Sequence, residues 1–269
     1  LIPPSVPLII YGVMAQTSIG DLFIAGIGAG ILTLILFVVI IYIWCWIDPS
    51  AGPASTRVPL REMIRLPSGL YIAVVIAIVC LGGIYAGFAT PTEAGALGAF
   101  IALVFGVATR RLGWGGFIKA FRSMIRTTGM VFMLLIGAMI FANMLALSGV
   151  PFKLVDVLTA MPVSPIIILV IVMVIYLILG FFLPILPILL IMIPLMAPVF
   201  AALGFDSVWI GVLTVITMLI GTVTPPVGVL VFAIAGAVPD VPMWTIFKGV
   251  TPFYCIMIVA LVLIIVFPD

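Results

Sequence analysis

Between Asp156 and Asp206 roughly 50 consecutive residues carry no charge, and this run restricts the fold more than any other feature. One bilayer crossing takes about 20 residues, so two would fit, yet no polar loop is available to join them. The middle of the run reads "GFFLPILPILL", with Gly180, Pro184 and Pro187. Proline removes a backbone donor, and irregular backbone among apolar side chains survives at membrane depth only where protein buries it. The pattern predicts a re-entrant helical hairpin over 165–203, its tip at 180–187. Two full crossings joined by a tight exposed turn are the alternative.

Composition places the rest of the chain in the same environment. With 66% hydrophobic and 7% charged residues and a mean hydropathy of +1.57, there is more apolar surface than a water-soluble core absorbs. Eight of the ten basic residues fall in two short segments, Arg57, Arg61 and Arg65, then Arg110, Arg111, Lys119, Arg122 and Arg126. Basic clusters beside apolar runs mark cytoplasmic loops, and a nucleic-acid partner is excluded in so apolar a chain. The sequence holds no histidine, and its eight acids are scattered. That removes most routes to metal or acid–base chemistry, so neither a polytopic membrane enzyme nor any cofactor is expected. Cys45, Cys80 and Cys255 lie one to an apolar run and are expected to pack as small hydrophobes. No signal-peptide pattern is read at Leu1, and the abrupt start without Met leads us to expect a piece of something longer.

A pass along the chain yields six regions. Residues 1–47 hold a short helix from Ile2 to Ala15, a polar turn, and a long span from Leu22 to Ile47. Gly26 and Gly30 in that span form a small-residue face suited to close packing. Residues 48–68 form a basic cytoplasmic loop. Residues 69–164 hold spans at 69–89, 92–109 and 127–147, with an interfacial helix at 112–126 where Trp114 and Phe117 interleave with cations. Glu93 reads as half of a capping box with Thr90, Pro91 taking the first helical position. The hairpin occupies 165–203. Residues 204–243 form a broken crossing, in two pieces at 208–220 and 227–238, and 244–269 the last span.

"GTVTPPVG" at the centre of the broken crossing echoes "LIPPSVPLIIYG" at the start. Laying Pro3-Pro4 on Pro225-Pro226 brings the two downstream patterns into step: proline break, short helix, polar turn, long span. Five crossings separate the two turns, an odd number, so the repeats are expected to be inverted. Inverted repeats with broken helices are the pattern of secondary transporters, whose sites lie near the midplane. A break frees carbonyls for a cation and leaves helix N-termini facing an anion. The ion-binding candidates are therefore Pro3, Pro4, Ser5, Gly221, Thr222, Thr224, Pro225 and Gly228. The substrate-proximal candidates are Gly180, Phe181, Leu183 and Pro184 at the hairpin tip. A structural subunit in which the breaks serve packing alone is the bland rival.

Four ordered motifs, "LIPPSVPLIIYG", "GFATPTEAGALGAF", "LGFDSVWIGVLTV" and "GTVTPPVG", together resemble the large membrane subunit of TRAP (tripartite ATP-independent periplasmic) transporters, in its C-terminal portion. The resemblance implies an all-α polytopic membrane protein of inverted-repeat ion-transporter type, working as an elevator. It implies import of a small organic anion, a carboxylate or a sialic-acid-like compound, by symport with sodium as the coupling ion and no other metal. It implies a multi-pass location in the bacterial inner (cytoplasmic) membrane, in contact with the lipid bilayer. The partners implied are a small membrane subunit and a periplasmic substrate-binding protein. Another inverted-hairpin anion transporter that needs no binding protein is the alternative. The first repeat's own hairpin would precede Leu1. Two positions depart from the family: Leu183-Pro184 where an acidic residue is frequent, and Leu230 where Asn is frequent. Both departures remove polar groups near the expected site.

Overall fold

The computed structural model describes residues 1–49, 52, 68–238 and 240–267. Arg57, Arg61 and Arg65, with most of the expected basic loop, lie outside the described residues, as does Pro239. The described residues fold as α-helices: α1 Val6–Ala15, α2 Ile19–Ile47, α3 Ser68–Tyr85, α4 Pro91–Ala108, α5 Trp114–Ser148, α6 Val150–Thr159, α7 Pro165–Phe182, α8 Ile185–Ala202, α9 Ser207–Val223, α10 Val229–Ala237 and α11 Met243–Val266. Among them, α2, α4, α5, α7, α8 and α11 are long and apolar enough to cross a membrane. The regular structure of the described residues is thus all α-helical, as in a multi-pass membrane protein.

Local chemistry explains most boundaries. At the start of α4 the expected capping box is complete. Thr90 Oγ1 accepts from the Glu93 N–H at 3.3 Å, and the Glu93 carboxylate accepts from the Thr90 N–H at 2.8 Å. Asp206 caps α9 by accepting from the Trp209 N–H at 2.8 Å. Helix α1 begins at Val6 rather than Ile2, because the proline pair cannot enter a helix without breaking its hydrogen-bond ladder.

Two expectations are corrected. The interfacial helix over 112–126 and the crossing over 127–147 form one unbroken helix, α5. A change from basic to apolar side chains alters a helix's environment but interrupts no backbone hydrogen bond, and no proline falls within 114–148. The segment after Leu147, expected on the face opposite the basic loops and given no helix of its own, contains α6. It starts after Gly149 in the left-handed region and carries proline in its first turn, with Lys153 and Asp156 exposed as expected.

The chain forms two compact units, residues 1–47 with 134–269, and residues 48–133. In the second unit α3 packs on α4. There Cys80 is buried, its thiol donating to the Ala94 carbonyl at 3.1 Å and lying 3.0 Å from where a Cβ on Gly98 would sit. In the first unit α9 is the central helix. Every residue from Ile210 to Met218 is buried, and α9 packs against α1, α2, α7, α8 and α11. A helix apolar all round belongs inside its surroundings. In lipid the gain from such packing is van der Waals contact rather than release of water, which favours small residues at crossings.

Where the hairpin is expected, helices α7 and α8 are joined by Leu183 and Pro184. Its arms pack mainly on other helices, α7 on α9 and α8 on α1 and α6. Each arm has 18 residues, about 27 Å at 1.5 Å per residue. Pro3-Pro4 precedes α1 and α2, and Pro225-Pro226 precedes α10 and α11. Both Pro–Pro bonds are cis. The two long helices of the repeats pack on each other, with Phe37 and Phe253 edge to face at 5.4 Å.

Candidate functional site: two broken helices and a hairpin tip

The second break is built from hydroxyls turned inward. Helix α9 ends at Val223, and Thr224 turns extended with its N–H donating to the Gly221 carbonyl at 3.2 Å. Thr222 Oγ1 donates to the Leu219 carbonyl at 2.8 Å, and Thr224 Oγ1 donates to the Ile220 carbonyl at 2.6 Å. Each hydroxyl has one proton and two lone pairs. With the proton committed to the helix, what remains at Thr222 and Thr224 is acceptor capacity. Pro225 and Pro226 follow and bring no N–H. Helix α10 starts after Gly228, whose φ of +58 lies in the left-handed region and whose Cβ position would be 3.3 Å from the Thr224 carbonyl oxygen. The loop from Thr224 to Gly228 is therefore closed tightly on itself.

The first break has a related build. Pro3 and Ser5 are buried, and Pro4 is exposed. The Ser5 carbonyl accepts from the Ile9 N–H at 3.1 Å, while its hydroxyl makes no capping bond to α1. The glycine face of α2 is the bed for this break. A Cβ on Gly26 would lie 2.9 Å from Leu8 and 3.1 Å from the Leu1 carbonyl oxygen, and one on Gly30 would lie 2.6 Å from Ile2.

Three of the expected parts meet. Gly180, near the end of α7, crosses Gly221 on α9 so closely that a Cβ on Gly221 would lie 2.8 Å from Gly180 Cα and 2.8 Å from the Leu177 carbonyl oxygen. The hairpin tip is thereby held against the last turn of α9. Leu1, two residues ahead of the first proline pair, joins Leu177 and Ile220 in an apolar cluster around Ala29, Val212 and Ile216. Among the described residues no hydrogen bond joins Ser5 to Thr222 or Thr224, so the two breaks share packing rather than a polar link. At the tip, Leu183 and Pro184 are exposed, and Phe181 is half-buried, edge to face with Phe182.

Sequence reasoning missed a second junction. The Tyr11 ring lies across Gly211, where a Cβ would meet it at 2.6 Å, and its hydroxyl donates to the Ser207 carbonyl at 3.1 Å. Thr17 Oγ1 and Ser207 Oγ are 2.5 Å apart. The turn of the first repeat is thus fastened to the N-terminus of the broken helix of the second. The only local signals were a tyrosine in an apolar helix and a glycine in α9, and neither names its partner. Thr217 Oγ1 donates to the Leu213 carbonyl at 2.7 Å and contacts Met173 Sδ at 3.3 Å, adding to the α7–α9 seam.

Over residues 1–269 the chain matches the family described as "Tripartite ATP-independent periplasmic transporter, DctM component". The chain belongs to this family. It is 34% identical over 270 residues to the sialic acid TRAP transporter large permease protein SiaM of Vibrio cholerae, covering 100% of this chain and 62% of that protein. It is 33% identical over 269 residues to the C4-dicarboxylate TRAP transporter large permease protein DctM of Pseudomonas aeruginosa, covering 100% and 62%. To the isethionate TRAP transporter permease protein DctMQ of Oleidesulfovibrio alaskensis it is 34% identical over 264 residues, covering 98% and 41%. The chain therefore spans less than two thirds of the length of these relatives. All three relatives are named as TRAP transporter permease proteins.

Proposed function

We propose that the protein is the large permease of a sodium-driven importer of a small organic anion, working with a periplasmic substrate-binding protein and a small membrane subunit in the bacterial inner membrane. The observation that carries this reading is the Gly180–Gly221 crossing, which seats the hairpin tip on a break whose Thr222 and Thr224 hydroxyls have spent their protons on the helix and keep acceptor capacity. A helix C-terminus leaves its last carbonyls without the usual i+4 backbone donors; in α9 those of Ile220 and Gly221 accept from Thr224, each with a second lone pair to spare. Those carbonyls, two hydroxyl oxygens and two prolines without N–H make a site rich in acceptors, suited to a cation such as sodium. The N-terminal end of α10 beyond Gly228, with its unpaired N–H groups and positive dipole end, suits the anion. Membership of a family whose relatives are named for sialic acid, C4-dicarboxylates and isethionate supports an organic anion as cargo. The paired breaks and the hairpin support an inverted-repeat, elevator-type cycle with the hairpin re-entrant.

The test is uptake into proteoliposomes carrying the full-length permease with its small subunit. Candidate carboxylates and sialic acids are supplied with and without the binding protein. Uptake that needs both an inward sodium gradient and the binding protein is expected. Uptake indifferent to sodium would remove the coupling assignment, and uptake without the binding protein would favour an autonomous anion transporter.

A further inference from the structure

The N-terminal half of α5 carries a charged surface that the transport reading leaves without a role. From Thr127 to Ser148 the helix has no charge, about 22 residues or ~33 Å, which matches the ~30 Å hydrocarbon core. Arg126, Arg122 and Lys119 continue the same unbroken helix. Their Cα atoms stand about 1.5, 7.5 and 12 Å along the axis from Thr127. The headgroup layer is about 5–8 Å deep on each side of the core. Arg126 and Arg122 therefore bracket it, and Lys119 sits just above with a stem long enough to reach back.

At about 100° per residue the three cations fall within a sector of about 60°. Trp114, Phe117 and Phe121 fall in another sector of similar width, about 140° away. The aromatic rings form a continuous ladder, with Trp114 to Phe117 stacked at 5.7 Å and Phe117 to Phe121 at 6.1 Å. All three cations are exposed. The sequence holds no acid between Glu93 and Asp156, so nothing on this helix neutralises them. A cationic stripe that begins at phosphate depth is complementary to one occupant above others, an anionic headgroup.

We propose that Lys119, Arg122 and Arg126 form a binding site for the headgroups of anionic phospholipids. By the charge rule the leaflet is the cytoplasmic one. Each cation near an anionic surface contributes about a fivefold preference, weakened by salt as the Debye length shortens. The full-length protein is reconstituted in bilayers of phosphatidylcholine with spin-labelled phosphatidylglycerol or spin-labelled phosphatidylcholine, and the motionally restricted fraction of each is compared. Wild type restricts phosphatidylglycerol preferentially, and Lys119→Gln/Arg122→Gln/Arg126→Gln lowers that preference at least fivefold. The charge-keeping variant Lys119→Arg/Arg122→Lys/Arg126→Lys retains it, and Lys153→Gln, a cation on α6, does not change it. Equal restriction of the two lipids by wild type, or a preference unchanged in the glutamine variant, overturns the proposal. A preference lost in the charge-keeping variant as well also overturns it, since structure rather than charge would then be responsible.

Discussion

Replacing Gly221 with alanine tests the central joint of the fold. The new methyl carbon would sit 2.8 Å from Gly180 Cα, 2.8 Å from the Leu177 carbonyl oxygen and 3.0 Å from Gly180 C. All three are backbone atoms, so no side-chain rotation relieves the clash. Non-bonded carbon atoms are optimally about 3.5–4.0 Å apart, so α7 and α9 must separate by close to 1 Å. A radial gap of that size forfeits a quarter to a half of each van der Waals contact along the seam. Overpacking of this kind costs about 1–3 kcal/mol, while alanine regains up to about 1 kcal/mol of helix propensity over glycine. The net loss is about 1–2 kcal/mol, or ~2–8 °C in melting temperature for a chain of this size.

Thermal unfolding of the full-length protein in detergent measures it. Gly28→Ala and Gly249→Ala are the controls, since nothing lies within 4 Å of a Cβ at either position. Both controls should melt at or above wild type. Gly180→Ala should resemble Gly221→Ala, and the double variant should lose less than the sum, because the first separation already makes room for the second methyl. If Gly221→Ala melts with the controls, the helices do not touch backbone to backbone and the joint is misread. If it melts low yet keeps the wild-type sodium requirement, the hairpin tip does not shape the break.

Other residues give independent tests. Thr224→Val keeps the shape but removes an acceptor from the break, and should raise the sodium concentration for half-maximal uptake about tenfold, the equivalent of ~1.4 kcal/mol, while Thr224→Ser stays near wild type; a purely structural subunit would show no change. Tyr11→Phe removes the hydrogen bond to the Ser207 carbonyl and should cost about 1 kcal/mol, read as a lower melting temperature without loss of secondary structure by circular dichroism. Thr90→Ala removes the N-cap of α4 and should cost about 1 kcal/mol, visible as faster amide exchange at residues 91–94, with Thr90→Ser close to wild type.

The parts legible in the sequence were those made by residues that act on their own backbone. Proline pairs break helices wherever they stand, so both breaks were located within a few residues. Thr90, Pro91 and Glu93 make their cap within a single turn, and that cap is present as read. Gly26 and Gly30 announced a close approach but not its partner, which is the chain's own first break. What local pattern could not show was continuity and distance. The passage from Arg126 to Thr127 looks like a boundary because the side chains change, yet the hydrogen-bond ladder of α5 runs straight through it. Tyr11 and Ser207 are 196 residues apart, so only the folded chain brings them together. The Gly180–Gly221 crossing was half legible: both glycines were singled out, one as part of an ion-binding break and one for a hairpin tip, whereas their packing use is to let two backbones touch.

That distinction bears on why an apolar chain breaks its helices with prolines in particular. An unsatisfied backbone group in the bilayer core costs several kcal/mol, and an ordinary break strands donors and acceptors alike. Pro225 and Pro226 strand no donor, because they have none. The next N–H back, on Thr224, is spent on the Gly221 carbonyl, and the two threonine hydroxyl protons are spent on Leu219 and Ile220. Donors at the end of α9 are thus consumed within one turn while oxygen lone pairs accumulate. Such an excess is unfavourable in an empty apolar site and favourable around a cation. Packing alone would be served better by a glycine kink, which leaves donor and acceptor balanced. The choice of residues at this break therefore argues for a bound positive ion, and Thr224→Val measured against Thr224→Ser is where that argument stands or falls.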